Sequence, residues 1–210
     1  MLTSLTLAFL LTGCVEDVAT DKVEAVVEDV EPAEPKAKEP APAAGTAWTV
    51  VKEKSTIKAL GAKVTATHPI DFKRWKAEVS VDEGKLTALS YTVEMDSLEA
   101  DHPKLTEHLK NEDFFDVPNH PTSTFASTQI TEGSDVEGMT HTVEGTMTIR
   151  GKAKSVTFPV KVQTKEGKLM AETEFALNRQ DFGVTYPGRK DDLIQDKVVM
   201  TVKLVAKSAS

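Results

Sequence analysis

The chain has 210 residues and a formal net charge of −8 at pH 7, a length that accommodates one domain with a tail. Residues 15–46 contain nine acids and three lysines, which leaves 24 acids and 22 bases, a net charge of −2, in residues 47–210. A nearly neutral domain lacks the basic surface on which nucleic-acid binding depends. The only cysteine is Cys14, so the sequence excludes an intrachain disulfide.

The N-terminus predicts a secreted lipoprotein. Residues 5–11 form an apolar run that is too short to span a membrane and is typical of a signal peptide. Residues 11–14, Leu-Thr-Gly-Cys, are similar to a bacterial lipobox, so we expect residues 1–14 to be a signal peptide and lipobox with Cys14 acylated. The alternatives are a chance cleavage site or a buried cysteine. No Lys or Arg precedes the run, which departs from the usual pattern.

The segment after Cys14 predicts a tether. Position 15 is valine rather than aspartate, so the usual signal for inner-membrane retention is missing and outer-membrane attachment on the periplasmic side is the default. Residues 15–46 are acidic and rich in proline and alanine, a composition that cannot bury a core and predicts a disordered linker. Its charges either serve solvation alone or help to lift a domain of residues 47–210 off a membrane surface.

The rest of the chain alternates apolar and polar residues with period two, which predicts half-buried β-strands. Gly-containing turns separate several of these segments, as at Gly84 and Gly167. The segments lie within residues 48–51, 56–66 (with a break at Gly61), 75–82, 89–96, 122–130, 143–150, 156–162, 169–177 and 198–206. Together these nine segments predict a sheet of about eight strands. Short connections between alternating strands indicate antiparallel pairing.

The alternation is clearly interrupted only between residues 101 and 125. Pro103 suits the first position of a helix, and Leu105 and Leu109 then share one helical face. Phe114 and Phe115 follow in a second short turn. This apolar helical connection either plugs one end of a β core or forms a lid over a cavity.

The sequence predicts an all-β fold in which the antiparallel sheet closes into a barrel. Closure removes the exposed sheet edges, and eight strands leave an interior that fills with side chains or holds one small ligand. A flat sandwich is the main alternative, because periodicity alone does not distinguish the two.

The order of residues in the helical connection resembles the YceI-like family of polyisoprenoid-binding, lipocalin-like periplasmic proteins. The resemblance is carried by Asp101, residues 108–110 (HLK), residues 113–116 (DFFD), Pro121 and Phe125. It extends from Trp48 to about Ala206 and includes residues 143–151, residues 178–183 and a last strand near Val198. It implies an eight-stranded antiparallel lipocalin-like β-barrel, with the short helical connection capping one end, that encloses an isoprenoid or a fatty-acid-like chain.

The inward-facing rows of the predicted strands mix large and small side chains, such as Trp75 with Ala77 and Phe175 with Ala171. The small residues either leave a cavity or interdigitate with the large ones, and the resemblance favours a cavity. From alternation, the residues expected to contact an apolar ligand in the barrel and its cap are Trp75, Tyr91, Val93, Leu109, Phe114, Phe115, Phe125, Met147, Phe158, Phe175 and Phe182.

The sequence contains little that indicates catalysis. The five histidines have no metal-ligand spacing, and no nucleophile elbow or phosphate-binding glycine loop is present. We therefore predict neither an enzyme nor a metal site, and no cofactor other than a bound lipid. Residues 179–183 either close the second end of the barrel or form a capped turn that packs Phe182 inward, and residues 186–192 are typical of an exposed loop at the mouth.

The favoured interpretation is a lipid-anchored periplasmic protein that stores or transports a long-chain apolar ligand, such as a polyisoprenoid, an isoprenoid quinone or a fatty-acid-like lipid. The alternative is a non-enzymatic stress-response or protein-interaction module whose barrel is filled. An enzyme acting on lipid-like substrates is a third hypothesis, which the lack of an acid–base or nucleophile arrangement disfavours. The sequence leaves open whether the barrel is a monomer or a homodimer.

Overall fold

The computed structural model describes residues 16–30 and 45–208. Within these ranges the chain forms fourteen strands and one α-helix. In chain order the elements are β1 Val26–Asp29, β2 Thr46–Val50, β3 Thr56–Lys63, β4 Ala66–Phe72, β5 Trp75–Asp82, β6 Lys85–Glu94, β7 Leu98–Ala100, α1 Pro103–Lys110, β8 Thr122–Glu132, β9 His141–Ile149, β10 Lys152–Lys165, β11 Lys168–Asn178, β12 Gly188–Arg189, β13 Asp192–Leu193 and β14 Lys197–Lys207. Short 3-10 turns span Lys52–Lys54, Met95–Ser97 and Arg179–Phe182.

Eight strands close into an antiparallel barrel in the order β2, β5, β6, β8, β9, β10, β11 and β14. The last strand returns to the first, because β14 pairs with β2 through Ala206 and Val50. The period-two pattern explains these strands: in β5, Trp75, Val79 and Val81 are buried. The predicted all-β, eight-stranded, lipocalin-like barrel is confirmed, and the flat sandwich is excluded.

The prediction of a single strand over residues 56–66 is wrong. The chain turns at Val64 and Thr65, so that β3 and β4 form a hairpin in which Gly61 pairs with His68. Gly61 lies inside β3 and does not break it. The turn contains no glycine or proline, and the usual sequence signal for a turn is therefore missing. β3 also pairs with β14. It pairs with residues 199–203 of that strand, whereas β2 pairs with Ala206 and Lys207.

Part of the predicted linker is structured. Strand β1 pairs antiparallel with β10, with Val27 opposite Val156, and Ala25 donates its backbone N–H to Ala176 O of β11 at 3.0 Å. β10 pairs with β11 only over residues 161–165, so the edge of its first half is free to accept another strand. The prediction that residues 15–46 form a disordered linker is thus wrong at Val26–Asp29. Residues 31–44 lie outside the described ranges.

The predicted helical connection is confirmed and covers one end of the barrel. Helix α1 has Pro103 at its start, and its Leu109 is buried. Phe115 donates its backbone N–H to Leu109 O at 3.1 Å, which folds the following turn back onto the helix. Phe114 is buried in the same core cluster as Leu109. The helix and its turn thereby place an apolar surface across the opening of the barrel.

Candidate functional site

A cavity of about 920 Å³ occupies the end of the barrel beneath α1. Its wall is built mainly from aliphatic and aromatic side chains of the strands, of α1 and of the segment between β11 and β14. The apolar lining residues are Ile57, Ala59, Ala62, Ile70, Phe72, Tyr91, Val93, Met95, Leu105, Leu109, Phe114, Phe115, Met147, Ile149, Leu177, Phe182, Val184, Tyr186, Ile194, Val198 and Met200. Such a volume lies at the upper end of the range for small-molecule sites.

Aromatic rings close the inner end of the cavity. Tyr91 is the last residue of β6, counting inward from α1, that lines the cavity, and its ring stacks on Phe125 at 5.5 Å between centroids. Phe125 contacts Phe158 at 5.2 Å, and Phe158 stacks on Phe175 at 4.2 Å. All three phenylalanines are buried and none lines the cavity. The barrel is therefore hollow at one end and filled at the other.

The structure brings seven of the eleven predicted ligand-contacting residues to the cavity wall: Tyr91, Val93, Leu109, Phe114, Phe115, Met147 and Phe182. The other four do not line it. Phe125, Phe158 and Phe175 belong to the filled end, and Trp75 is buried elsewhere, with the Lys52 ammonium 3.9 Å from its ring centroid. For the three phenylalanines, alternation predicts that the side chain faces inward, but it does not predict how far along the barrel it lies. Ligand contact by the seven remains a prediction.

Sequence reasoning missed two parts of the wall. One is the β3–β4 hairpin, which contributes Ile57, Ala59, Ile70 and Phe72; the alternation of these residues within each strand was the available signal. The other is the segment from Val184 to Ile194, in which no periodicity marks the inward residues. The wall also contains the hydroxyl groups of Tyr91, which is a predicted residue, and of Ser123, which is not. Tyr91 Oη and Ser123 Oγ are buried without a hydrogen-bond partner among the described residues, and burial raises the pKa of Tyr91, which therefore stays neutral.

The exposed lining residues mark the mouth of the cavity. They are His102, Pro103 and Lys104 at the start of α1 and Arg189 on the β12–β13 hairpin. Between these residues lies Tyr186, whose ring centroid is 5.2 Å from that of His108 and 5.3 Å from that of Phe114. The predicted loop at the mouth, residues 186–192, therefore lies there, but its tyrosine faces the cavity.

Asp192 holds the β12–β13 hairpin against the β3–β4 turn. Its carboxylate pairs with the Lys63 ammonium and accepts hydrogen bonds from Thr65 N at 3.2 Å and Thr65 Oγ1 at 3.0 Å. The bond from Lys63, and to a lesser degree those from Thr65, lower the pKa of Asp192. The bound hairpin fixes one side of the mouth.

Arg179 anchors the opposite end of the same segment. It is buried, and it donates to Val184 O at 2.6 Å, to Gln195 O at 3.0 Å and to Asp196 Oδ1 at 3.0 Å. Burial lowers the pKa of this arginine, and Asp196 opposes the shift. The 3-10 turn Arg179–Phe182 packs Phe182 into the cavity wall. It lies at the end covered by α1, so the predicted role in closing the second end is wrong and the capped turn is confirmed.

The described residues contain no group of three or more His, Cys, Asp or Glu side chains arranged to hold a metal ion. Over the same ranges, every helix falls short of the length and apolar character that a membrane crossing requires. The apolar wall can exclude water from an apolar ligand, and it has few polar groups to orient one.

Barrel, helical cap and one-ended apolar cavity together define a lipocalin-like barrel with a chamber for an apolar molecule. Residues 48–206 match the family model described as the YceI-like domain, and the chain belongs to that family. The resemblance found in residues 101–125 is therefore confirmed.

The relatives and solved structures that this chain resembles agree with the family. A UPF0312 protein of Enterobacter sp. strain 638 is 30% identical over 94 residues, 43% of this chain and 46% of that protein. Protein YceI of Salmonella arizonae is 27% identical over 123 residues, 54% of this chain and 62% of the relative. The chain thus spans about half the length of the curated relatives it matches.

Among solved structures, BcnA of Burkholderia cenocepacia has a TM-score of 0.67 and 25% identity, covering 75% of this chain and 99% of that one. A polyisoprenoid binding domain from Saccharophagus degradans has a TM-score of 0.57 and 11% identity. The match covers 77% of this chain and 98% of that domain's chain. The second likeness is one of fold alone.

Proposed function

We propose that the protein is a non-enzymatic binding protein that encloses a long-chain apolar ligand, such as a polyisoprenoid, an isoprenoid quinone or a fatty-acid-like lipid, for storage or transport. The observation that carries the proposal is the cavity of about 920 Å³, apolar in its wall and closed at its inner end by aromatic rings. Moving a hydrocarbon chain from water into such a space gains about 0.8 kcal/mol per buried CH₂. The polyisoprenoid binding named for the Saccharophagus degradans domain supports the same class of ligand.

The geometry also favours one orientation of the ligand. The inner end is formed by Tyr91 above the Phe125 ring, whereas the charged lining residues Lys104 and Arg189 are exposed at the mouth. A polar head would keep its hydration at the mouth, and the chain would extend inward. The alternative function, a stress-response or protein-interaction module, assumes a barrel filled with side chains. The cavity beneath α1 argues against that assumption at this end of the barrel.

Extraction of the purified protein with organic solvent, followed by mass spectrometry, tests the proposal directly. A labelled isoprenoid should also bind to the wild-type protein and to Lys76→Ala, whose side chain faces solvent on β5. Ala59→Trp, which places a large ring in the cavity, should abolish uptake while the circular dichroism spectrum stays unchanged. Equal uptake by Ala59→Trp and the wild type, or protein that never carries or binds a lipid, would contradict the proposal.

We further propose that Cys14, which lies outside the described ranges, is acylated and attaches the protein to the periplasmic face of a membrane, by default the outer membrane. The apolar run of residues 5–11 followed by Leu-Thr-Gly-Cys supports this. Mass spectrometry of the mature N-terminus should find a lipid-modified cysteine, and Cys14→Ser should release the protein into the soluble periplasmic fraction. An unmodified thiol in the mature protein would refute the anchor.

A further inference from the structure

We infer that the rim of the cavity docks on an anionic lipid bilayer, with Val64 and Leu193 inserted among the lipids. The inference rests on the proposed function, because an apolar ligand leaves or enters a membrane most readily where the cavity opens against it. The docking surface consists of the β3–β4 turn, the β12–β13 hairpin and the start of α1.

The first observation is the placement of exposed apolar side chains. Among the described residues four large hydrophobic side chains are exposed, and two of them, Val64 (38% exposed) and Leu193 (49% exposed), are neighbours. Val64 donates its backbone N–H to Leu193 O at 3.0 Å. Scattered single residues of this kind need no explanation, but adjacent ones on a projecting turn form a continuous apolar tip.

The second observation is the continuity of this tip with the cavity. The cavity is lined by the sequence neighbours of both tip residues. These are Lys63, which precedes Val64, and Asp192 and Ile194, which flank Leu193. Lys63 also forms a β-bridge with Ile194. A bilayer in contact with Val64 and Leu193 would therefore lie next to the opening, and a hydrocarbon chain could move between membrane and cavity without crossing bulk water.

The third observation is the charge around the mouth. Lys104, Arg189 and Lys190 are exposed, and none has a carboxylate within 4 Å among the described residues. Lys63 pairs with Asp192, whereas Asp101, beside the His68 imidazole, and Asp191 keep their negative charges. The three unpaired cations therefore outnumber these two acids. Cations in this position are attracted to the negative surface of anionic lipids, and the attraction falls with ionic strength.

The tip is also preorganised. Asp192 binds Lys63 and both donor groups of Thr65, and Gln195 donates its backbone N–H to Ala62 O at 2.9 Å. The two turns are therefore joined before any membrane is met, so that insertion requires little ordering of the chain.

Flotation with vesicles tests the inference. The full chain would carry Cys14→Ser in every sample, so that no acyl group attaches it to the membrane. Vesicles of phosphatidylethanolamine and phosphatidylglycerol should float the protein. Leu193→Asp should reduce the floated fraction roughly tenfold, because it replaces an apolar side chain that inserts into the bilayer with a charge that anionic lipids repel. Val26→Asp, which introduces the same charge at a residue that is 56% exposed on β1, is the control and should float like the parent chain.

Uptake of a labelled isoprenoid from detergent micelles separates the two ideas. The Leu193 side chain does not line the cavity, so Leu193→Asp should take up the lipid from micelles normally and should exchange it with vesicles slowly. If the parent chain takes up lipid but does not float, or floats equally with Leu193→Asp, the docking surface is refuted and the proposed function stands. If the parent chain floats but takes up no lipid, the proposed function fails instead.

Discussion

Tyr91 and Phe125 are directly opposite each other on β6 and β8, with ring centroids 5.5 Å apart, and the boundary between the hollow and the filled end of the barrel runs between them. Tyr91 lines the cavity, whereas Phe125 packs on Phe158 in the filled end. The position of this boundary sets the depth of the cavity, and hence the length of chain that it can hold.

The packed rings of Phe125, Phe158 and Phe175 form the floor of the cavity. Replacing one of them with a smaller side chain should destabilise the protein and deepen the cavity. Phe158 is buried between Phe125 and Phe175, so Phe158→Ala should lower the free energy of unfolding by about 3–5 kcal/mol. Urea denaturation measures this loss. Phe158→Leu should cost less, and a Phe158→Ala protein as stable as the wild type would show that the rings do not form a packed floor.

Gly145 on β9 is required by the same floor. A Cβ at this position would lie 2.6 Å from the Phe125 ring and 2.5 Å from Ala126 O, so Gly145→Ala should destabilise the protein by about 1–3 kcal/mol through overpacking. In a double-mutant cycle with Phe125→Leu, the combined loss in thermal unfolding should be smaller than the sum of the single losses. Strict additivity would refute the contact.

A charge in the cavity wall should impair ligand binding more than folding. Phe115 lines the cavity but is only partly buried. Phe115→Asp should therefore weaken uptake of a labelled isoprenoid, because a carboxylate in an apolar wall must be desolvated, while Lys76→Ala should bind normally. Fluorescence titration gives both affinities. Unchanged affinity in Phe115→Asp would place the ligand elsewhere.

Removal of the buried guanidinium should loosen the segment behind the mouth. Arg179→Gln leaves the carbonyls of Val184 and Gln195 without their donor, and unsatisfied buried acceptors cost about 1–3 kcal/mol each. Chemical denaturation should show this loss, and hydrogen exchange should accelerate at the Val184 amide. Lys76→Gln, which removes one positive charge from the exposed face of β5, is the comparison and should leave both measurements unchanged.

Acid should release the β12–β13 hairpin. The pKa of Asp192 is held below its ordinary value of 3.8, first by Lys63 and then by Thr65. A lowered carboxyl pKa contributes stability that is present above 3.8 and is lost as the pH falls through the lower value of the folded state.

NMR signals of Leu193 should therefore move toward those of Asp192→Asn when the pH drops below about 3.8. The Asp192→Asn variant itself should show little pH dependence in this range. Signals of wild-type Leu193 that stay constant through the acid transition would show that the carboxylate does not hold the hairpin.

The residue pattern predicted the strands and the helical cap, and the family resemblance favoured a closed barrel over a sandwich. Period-two alternation identified the inward rows, and Pro103, Leu105 and Leu109 identified α1. Height along the barrel was not predictable, because Met147 and Phe158 both face inward yet only Met147 reaches the cavity. The turn at Val64 and Thr65 carries no residue that favours a turn, and the pairing of β1 depends on an unoccupied edge of β10 that exists only after the barrel has formed.

The position of β1 has a practical consequence. Residues 23–29 fill the seam between β10 and β11 beside the cavity, although they precede the family-matched region that starts at residue 48. A fragment that starts at residue 48 would leave the backbone groups of β10 and β11 along this seam without their partners, so expression fragments should begin before Val23. If Cys14 carries the proposed anchor, tension on it would act first on the hydrogen bond from Val18 to Gln195 and only then on the hydrogen bonds of this seam.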